Sequence, residues 1–161
     1  MLLSKNFSLE EMCVSAQHPE LVEVPLARSA EYDNLQRLVT TILQPTRDAL
    51  GKAITIISGY RPQRLNTAVN GSATSAHRYG LAADCICEGN RLEIAKKILE
   101  ADLDYDQIII ERPKFKGNDI VDCEWVHVGL SRTKNRREVR YWTGGSQYPI
   151  AKVNNQIKFS K

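Results

Sequence analysis

The stretch Ser75-Ala76-His77-Arg78-Tyr79-Gly80-Leu81-Ala82-Ala83-Asp84 puts an imidazole, a carboxylate and a turn glycine within ten positions. Imidazole nitrogen and carboxylate oxygen are ordinary zinc donors, and catalytic zinc sites use three protein ligands and keep one position open. His77 and Asp84 supply two. The chain has three histidines, at 18, 77 and 127, so the choice of a third is narrow. His18 sits beside a proline in an irregular segment and reads as a surface residue. His127 lies in Asp122-Cys123-Glu124-Trp125-Val126-His127-Val128, with Glu124 three positions before it. A glutamate near a metal but not bound to it is the usual base in hydrolytic centres. A fold that uses this set must carry residue 127 back to residues 77 and 84. The offset from Glu124 to His127 is odd, and on an unbroken strand the two would face opposite sides. Both serve one ion only if Glu124 stands before the regular strand or a bulge lies between them. Asp122 is the rival base.

The surrounding pattern is mixed. Ser8-Leu9-Glu10-Glu11 has the form of a capping box at a helix start. Residues 29–50 carry Leu35, Leu38, Val39, Ile42 and Leu43 at three- and four-residue spacing, a one-sided helix that Pro45 should kink or divide and Gly51 should end. The β-branched run Ala53-Ile54-Thr55-Ile56-Ile57 predicts a buried strand leading to Ser58-Gly59-Tyr60-Arg61. Residues 64–71 read as a short helix and 81–87 as the next strand, with Asp84 on the face opposite Ala83 and Cys85. A helix over 90–101, strands over 107–111 and 125–129, and a turn over 112–118 complete the expectation. The last sixteen residues carry no assignment. Several connections are too short for parallel crossovers, so the expected class is α+β, a largely antiparallel sheet with helices packed on one face.

Composition sets outer limits. The chain has 161 residues, suited to a single domain over 1–161, with 42% hydrophobic and 25% charged residues. A net charge of +3 suits an acidic target such as a bacterial wall, and without a basic tail it does not indicate nucleic acid. The first residues lack the marks of a signal peptide, and no apolar run reaches membrane-span length. Synthesis in the cytoplasm and no membrane partner are expected, as is a monomer. The cysteines at 13, 85, 87 and 123 read as reduced, buried, small hydrophobes. A second metal site at Cys85 and Cys87 is disfavoured because only one residue separates them.

The Ser-x-His-x-x-Gly-x-Ala-x-Asp pattern of residues 75–84, followed by Glu124 and His127 as Glu-x-x-His, resembles the zinc D-Ala-D-Ala carboxypeptidase family. That family includes phage endolysins that cut peptidoglycan stem peptides, and it is similar in fold to the hedgehog signalling domain. Asn6-Phe7-Ser8-Leu9-Glu10-Glu11-Met12, Leu43-Gln44-Pro45-Thr46-Arg47, Ser58-Gly59-Tyr60-Arg61, Asn66 and Asp106-Gln107-Ile108-Ile109 extend the likeness to the phage-type branch, over roughly residues 6–129. The resemblance implies one Zn2+ held by His77, Asp84 and His127, with Glu124 as base. It implies Arg61 at the oxyanion or a substrate carboxylate, and Ser75 with Arg61 lining the substrate site. The implied activity is hydrolysis of peptide bonds in peptidoglycan stem peptides or crosslinks, at the wall after release. Two alternatives are a small-peptide carboxypeptidase or dipeptidase with the same site, and a non-catalytic, metal-containing binding or structural protein of a phage particle.

Overall fold

The structure is a computed structural model and describes residues 1–153 and 156–159. It is α+β, as the short connections between elements predict. Among the described residues seven strands form one sheet in the order β1-β2-β4-β3-β5-β6-β7. They are β1 (Ile54–Ser58), β2 (Ala82–Cys87), β3 (Gln107–Lys116), β4 (Asp119–Gly129), β5 (Glu138–Trp142), β6 (Gln147–Val153) and β7 (Gln156–Phe159). Every pairing is antiparallel except β3 with β5. That one parallel pair arises because β5 follows β4 but crosses over to the far side of β3. The crossing is pinned by Asp106, whose carboxylate accepts from the backbone N–H, Nε and Nη2 of Arg136 at 2.8, 3.1 and 2.9 Å. Burial opposes ionisation of Asp106, but the hydrogen bonds and charge of Arg136 win and lower its pKa.

One face of the sheet is covered by helices. The amphipathic segment forms α1 (Ala30–Leu38), a π-helical turn (Val39–Leu43) and α2 (Gln44–Leu50) as one continuous run. Pro45 has no N–H to donate, and the wider turn just before it takes up the mismatch, with the Gln44 N–H reaching the Val39 carbonyl. Thr46 Oγ1 donates to the Ile42 carbonyl at 2.6 Å, which gives this buried hydroxyl a partner. Leu35, Leu38, Val39, Ile42 and Leu43 are fully buried. They meet α4 (Glu93–Glu100) through Ile94, Ala95 and Ile98, and the inward strand residues Ile108, Ile110, Val126 and Val128. The capping box is present as Glu11 N–H to Ser8 Oγ at 3.1 Å and Ser8 N–H to Glu11 Oε2 at 2.8 Å, and it opens a single 3-10 turn.

One expectation changes. Residues 112–118 are not a turn region: β3 runs through Pro113 to Lys116, and the chain reverses at Gly117-Asn118. Pro113 is tolerated because β5 ends at Trp142, opposite Glu111, so the missing donor lies beyond that partner. The tail, which carried no assignment, forms β6 and β7 on the β5 edge, and β7 touches the far end of β4. All four cysteines are free and buried. Burial pushes the thiols of Cys13 and Cys123 up to about 12 and raises Cys85 and Cys87 as well, so they pack as neutral thiols. Among the described residues no helix is long and apolar enough to cross a membrane.

Candidate metal centre

The face of the sheet away from the helices carries a row of side chains set by register. Ser58 of β1 stands opposite Asp84 of β2, Asp84 opposite His127 of β4, and His127 opposite Ile109 of β3. A bulge between Ile56 and Ser58 delivers Ser58 instead of Ile57 to Asp84. Asp84 and His127 are thus cross-strand neighbours, with His127 Nδ1 and Asp84 Oδ1 3.0 Å apart. His77 comes from a 3-10 turn (Ala76–Tyr79) that Ser75 caps by accepting from the His77 N–H at 3.3 Å, and which ends at Gly80 in the left-handed region.

The orientation of His77 is fixed from behind. Its Nδ1 lies 2.8 Å from the Gly59 carbonyl. A carbonyl can only accept, so Nδ1 carries the proton and the Nε2 lone pair faces the cluster. Gly59 is required where it stands: a Cβ there would fall 2.1 Å from the Met12 carbonyl oxygen, a backbone atom that cannot yield. The Tyr60 N–H donates to that same oxygen at 2.7 Å, which ties the N-terminal segment to the strand end.

His77 Nε2 is 3.3 Å from His127 Nδ1 and 3.4 Å from Asp84 Oδ1. Together with the 3.0 Å contact these are the three edges of a small triangle. Donors at the corners of a tetrahedron with metal–ligand bonds of about 2.0–2.1 Å lie about 3.3–3.4 Å apart. The donor set therefore fits a single zinc-sized cation. Among the described residues His77, Asp84 and His127 are the group that could hold an ion. Burial would raise the Asp84 carboxyl, but the two imidazoles outweigh it and hold the group far below the usual carboxylate range. Burial lowers the His77 pKa, with Asp84 opposing. Both shifts keep the ligating forms, carboxylate and neutral imidazole, at neutral pH.

Arg61 closes this side. Its Nε donates to Ser58 Oγ at 3.0 Å, Nη1 to Asn66 Oδ1 at 3.4 Å and Nη2 to Asp84 Oδ2 at 3.5 Å. Buried Asn66 in turn donates to the Ser72 carbonyl at 2.9 Å, so one amide sets both Arg61 and the loop leading to Ser75. Burial lowers the pKa of Arg61, and Asp84 and Glu111 oppose the shift.

Glu124 does not join the cluster. No register shift falls between it and His127, and its side chain is exposed and does not line the groove that holds the three ligands. The expected bulge or early end of the strand is absent, and Asp122 instead accepts from the Arg91 N–H at 3.1 Å. His18 pairs with Glu20 at 3.1 Å, away from the cluster. The carboxylate that does share the face is Glu111. It lies opposite Trp125 on β4 and beside Trp142 on β5. Burial raises its pKa to about 7, with the charge of His127 opposing and that of Asp84 adding. Its Oε2 is the one buried side-chain oxygen or nitrogen among the described residues with no hydrogen-bond partner. Sequence carried a faint signal for it: a charged residue closing the Ile108-Ile109-Ile110 run at an even offset from Ile109.

These groups line one groove of about 1000 Å³, with Ser75, Arg61, His77, Asp84, Glu111, Trp125, His127 and Trp142 on its walls. The fold and the site define a candidate mononuclear metal centre of the hydrolytic kind, with a desolvated carboxylate beside three convergent ligands. The family model for Peptidase M15 matches residues 5–115, more than half of the chain, and the chain belongs to that family of zinc-dependent peptidases. The match covers Arg61, Ser75, His77, Asp84 and Glu111 and ends before Glu124 and His127. No curated protein matches the chain.

Proposed function

We propose that the protein is a zinc peptidase that hydrolyses peptide bonds in the stem peptides or crosslinks of bacterial peptidoglycan. The observation that carries the reading is the triangle of His77, Asp84 and His127 with Glu111 two strands from Asp84 on the same face. Bound there, zinc would polarise the scissile carbonyl and acidify the attacking water. His77, Asp84 and His127 would hold the ion, and the Gly59 carbonyl keeps His77 in the ligating tautomer.

Glu111 takes the base role expected of Glu124. A carboxyl poised near 7 can accept the proton of the attacking water and return it to the leaving amine. Trp125 and Trp142, its neighbours on the adjacent strands, line the same groove. Arg61 keeps its positive charge beside the carbonyl oxygen that becomes negative. Ser75 acts through the backbone by holding the turn that carries His77. The substrate class rests on the order of motifs shared with the phage-type branch and on a groove roomy enough for several residues of extended peptide. A lytic enzyme that reaches the wall after release fits those motifs best.

The test uses zinc-loaded protein on purified sacculi, with mass spectrometry of the released fragments to name the bond by its new termini. Fragments cut within the peptide part are expected from the wild type and not from Glu111→Gln. No release from either protein would favour the non-catalytic alternative, and equal release from both would remove Glu111 from the base role.

A further inference from the structure

Three arginines line the groove: Arg61, Arg112 and Arg136. Arg61 is engaged with Ser58, Asn66 and Asp84, and Arg136 with Asp106 and Glu138. Arg112 differs from both. Among the described residues it has no carboxylate partner, and its recorded contact is with an aromatic face, its guanidinium carbon 5.3 Å from the centre of the Trp142 ring.

The backbone at Arg112 is unusual too. Its φ is +51°, and it is the one non-glycine residue in a strand, among those described, with a left-handed backbone. Such a conformation is costly for a residue with a Cβ and persists only where the surroundings impose it. In a regular strand Arg112 would point away from Glu111, because neighbours alternate faces. Here both residues line the same groove. The guanidinium also lies against Gly144: a Cβ at that position would come within 3.2–3.4 Å of Nη1, Nη2 and Cζ. Glycine at 144 therefore leaves the slot that the guanidinium occupies. Trp142 and Gly144 both lie beyond residue 115, where the family match ends.

We propose that Arg112, seated on Trp142 and Gly144, is a specificity arm that binds a carboxylate of the peptide substrate on the β5 side of Glu111. A planar guanidinium with free donors matches a carboxylate two bonds at a time, and stacking on an indole holds its plane before the substrate arrives. The carboxylate comes from an acidic side chain or from a free carboxy terminus of the peptide. The proposal rests on the peptidase reading and names the substrate feature that the groove selects.

The test measures binding by titration calorimetry to zinc-loaded Glu111→Gln protein, which should not consume the peptide. Three forms of one stem-type peptide serve as probes: all carboxylates free, side-chain carboxylate amidated, and carboxy terminus amidated. One of the two amides should bind about tenfold to a hundredfold more weakly than the free acid, and which one it is names the source. Adding Arg112→Gly, which also relieves the left-handed strain, should level the three affinities. Arg112→Lys should restore part of the difference, and Trp142→Leu should reduce it. Equal affinities with Arg112 present, no binding of any form, or discrimination that survives Arg112→Gly would each overturn the proposal. Sacculus digestion by the wild type is read separately. Discrimination that depends on Arg112 without digestion sinks the catalytic reading alone, and digestion without discrimination sinks the specificity arm alone.

Discussion

The two walls of the groove are built on opposite principles. The wall made by β1, β2 and the 3-10 turn is polar and internally satisfied: Arg61 is shared among Ser58, Asn66 and Asp84, and His77 is tied to the Gly59 carbonyl. The wall made by β3 and β5 is aromatic and leaves groups open. Glu111 has an unpartnered oxygen between Trp125 and Trp142, and Arg112 has no carboxylate among the described residues. A ligand cage needs fixed lone pairs, so its hydrogen bonds are made within the protein. Groups that must meet a substrate keep their capacity for it, and the protein bears their desolvation.

Breaking the open wall should give the largest effect. Glu111→Gln is expected to lower kcat by about 10²–10⁴-fold, while Glu124→Ala changes it less than about threefold. Steady-state assays on the released stem peptide check the pair, and the reverse order would mean that the strand faces are misassigned.

The same substitution should have the opposite sign for stability. The carboxyl of Glu111 is raised from 4.5 to about 7 in the folded chain, so the folded state binds more protons between those values and loses stability as pH rises through them. In metal-free protein, Glu111→Gln should match the wild type near pH 4 and exceed it by about 2–3 kcal/mol at pH 8. Urea melts in chelator at both pH values read the difference. A constant difference across that range would show that the carboxyl is not desolvated.

The satisfied wall should respond through the metal. Gly59→Ala forces the Met12 carbonyl and the strand end apart and disturbs the acceptor of His77, so zinc affinity should fall about 10–100-fold. Competition with a fluorescent chelator measures it. The smallest effect is expected at the cap: Ser75→Ala should cost about 0.5–1 kcal/mol of stability, read by thermal melting, with zinc stoichiometry unchanged.

Much of the closed wall was legible in the chain. His77 and Asp84 lie seven residues apart around a turn glycine, and the face of Asp84 followed from period-two alternation along β2. The long helix and the strand over Ile54–Ser58 followed from apolar spacing, because burial of one face is written in local periodicity. The bulge before Ser58 was not legible, since nothing in a β-branched run marks which residue is extra.

The choice between the two glutamates shows the limit most clearly. Sequence alone assigned the ligand types and warned that Glu124 and His127 could not share a face on a regular strand, because side-chain alternation is a property of one strand. Its signal for Glu111 was too faint to choose it, because a carboxylate becomes the neighbour of His127 only through the register of β3 against β4. Nor could it see that β5 crosses to the far side of β3 and sets Trp142 beside that carboxylate. Contacts between strands depend on which edges meet and at what offset, and those are decided when the whole sheet assembles around its buried face.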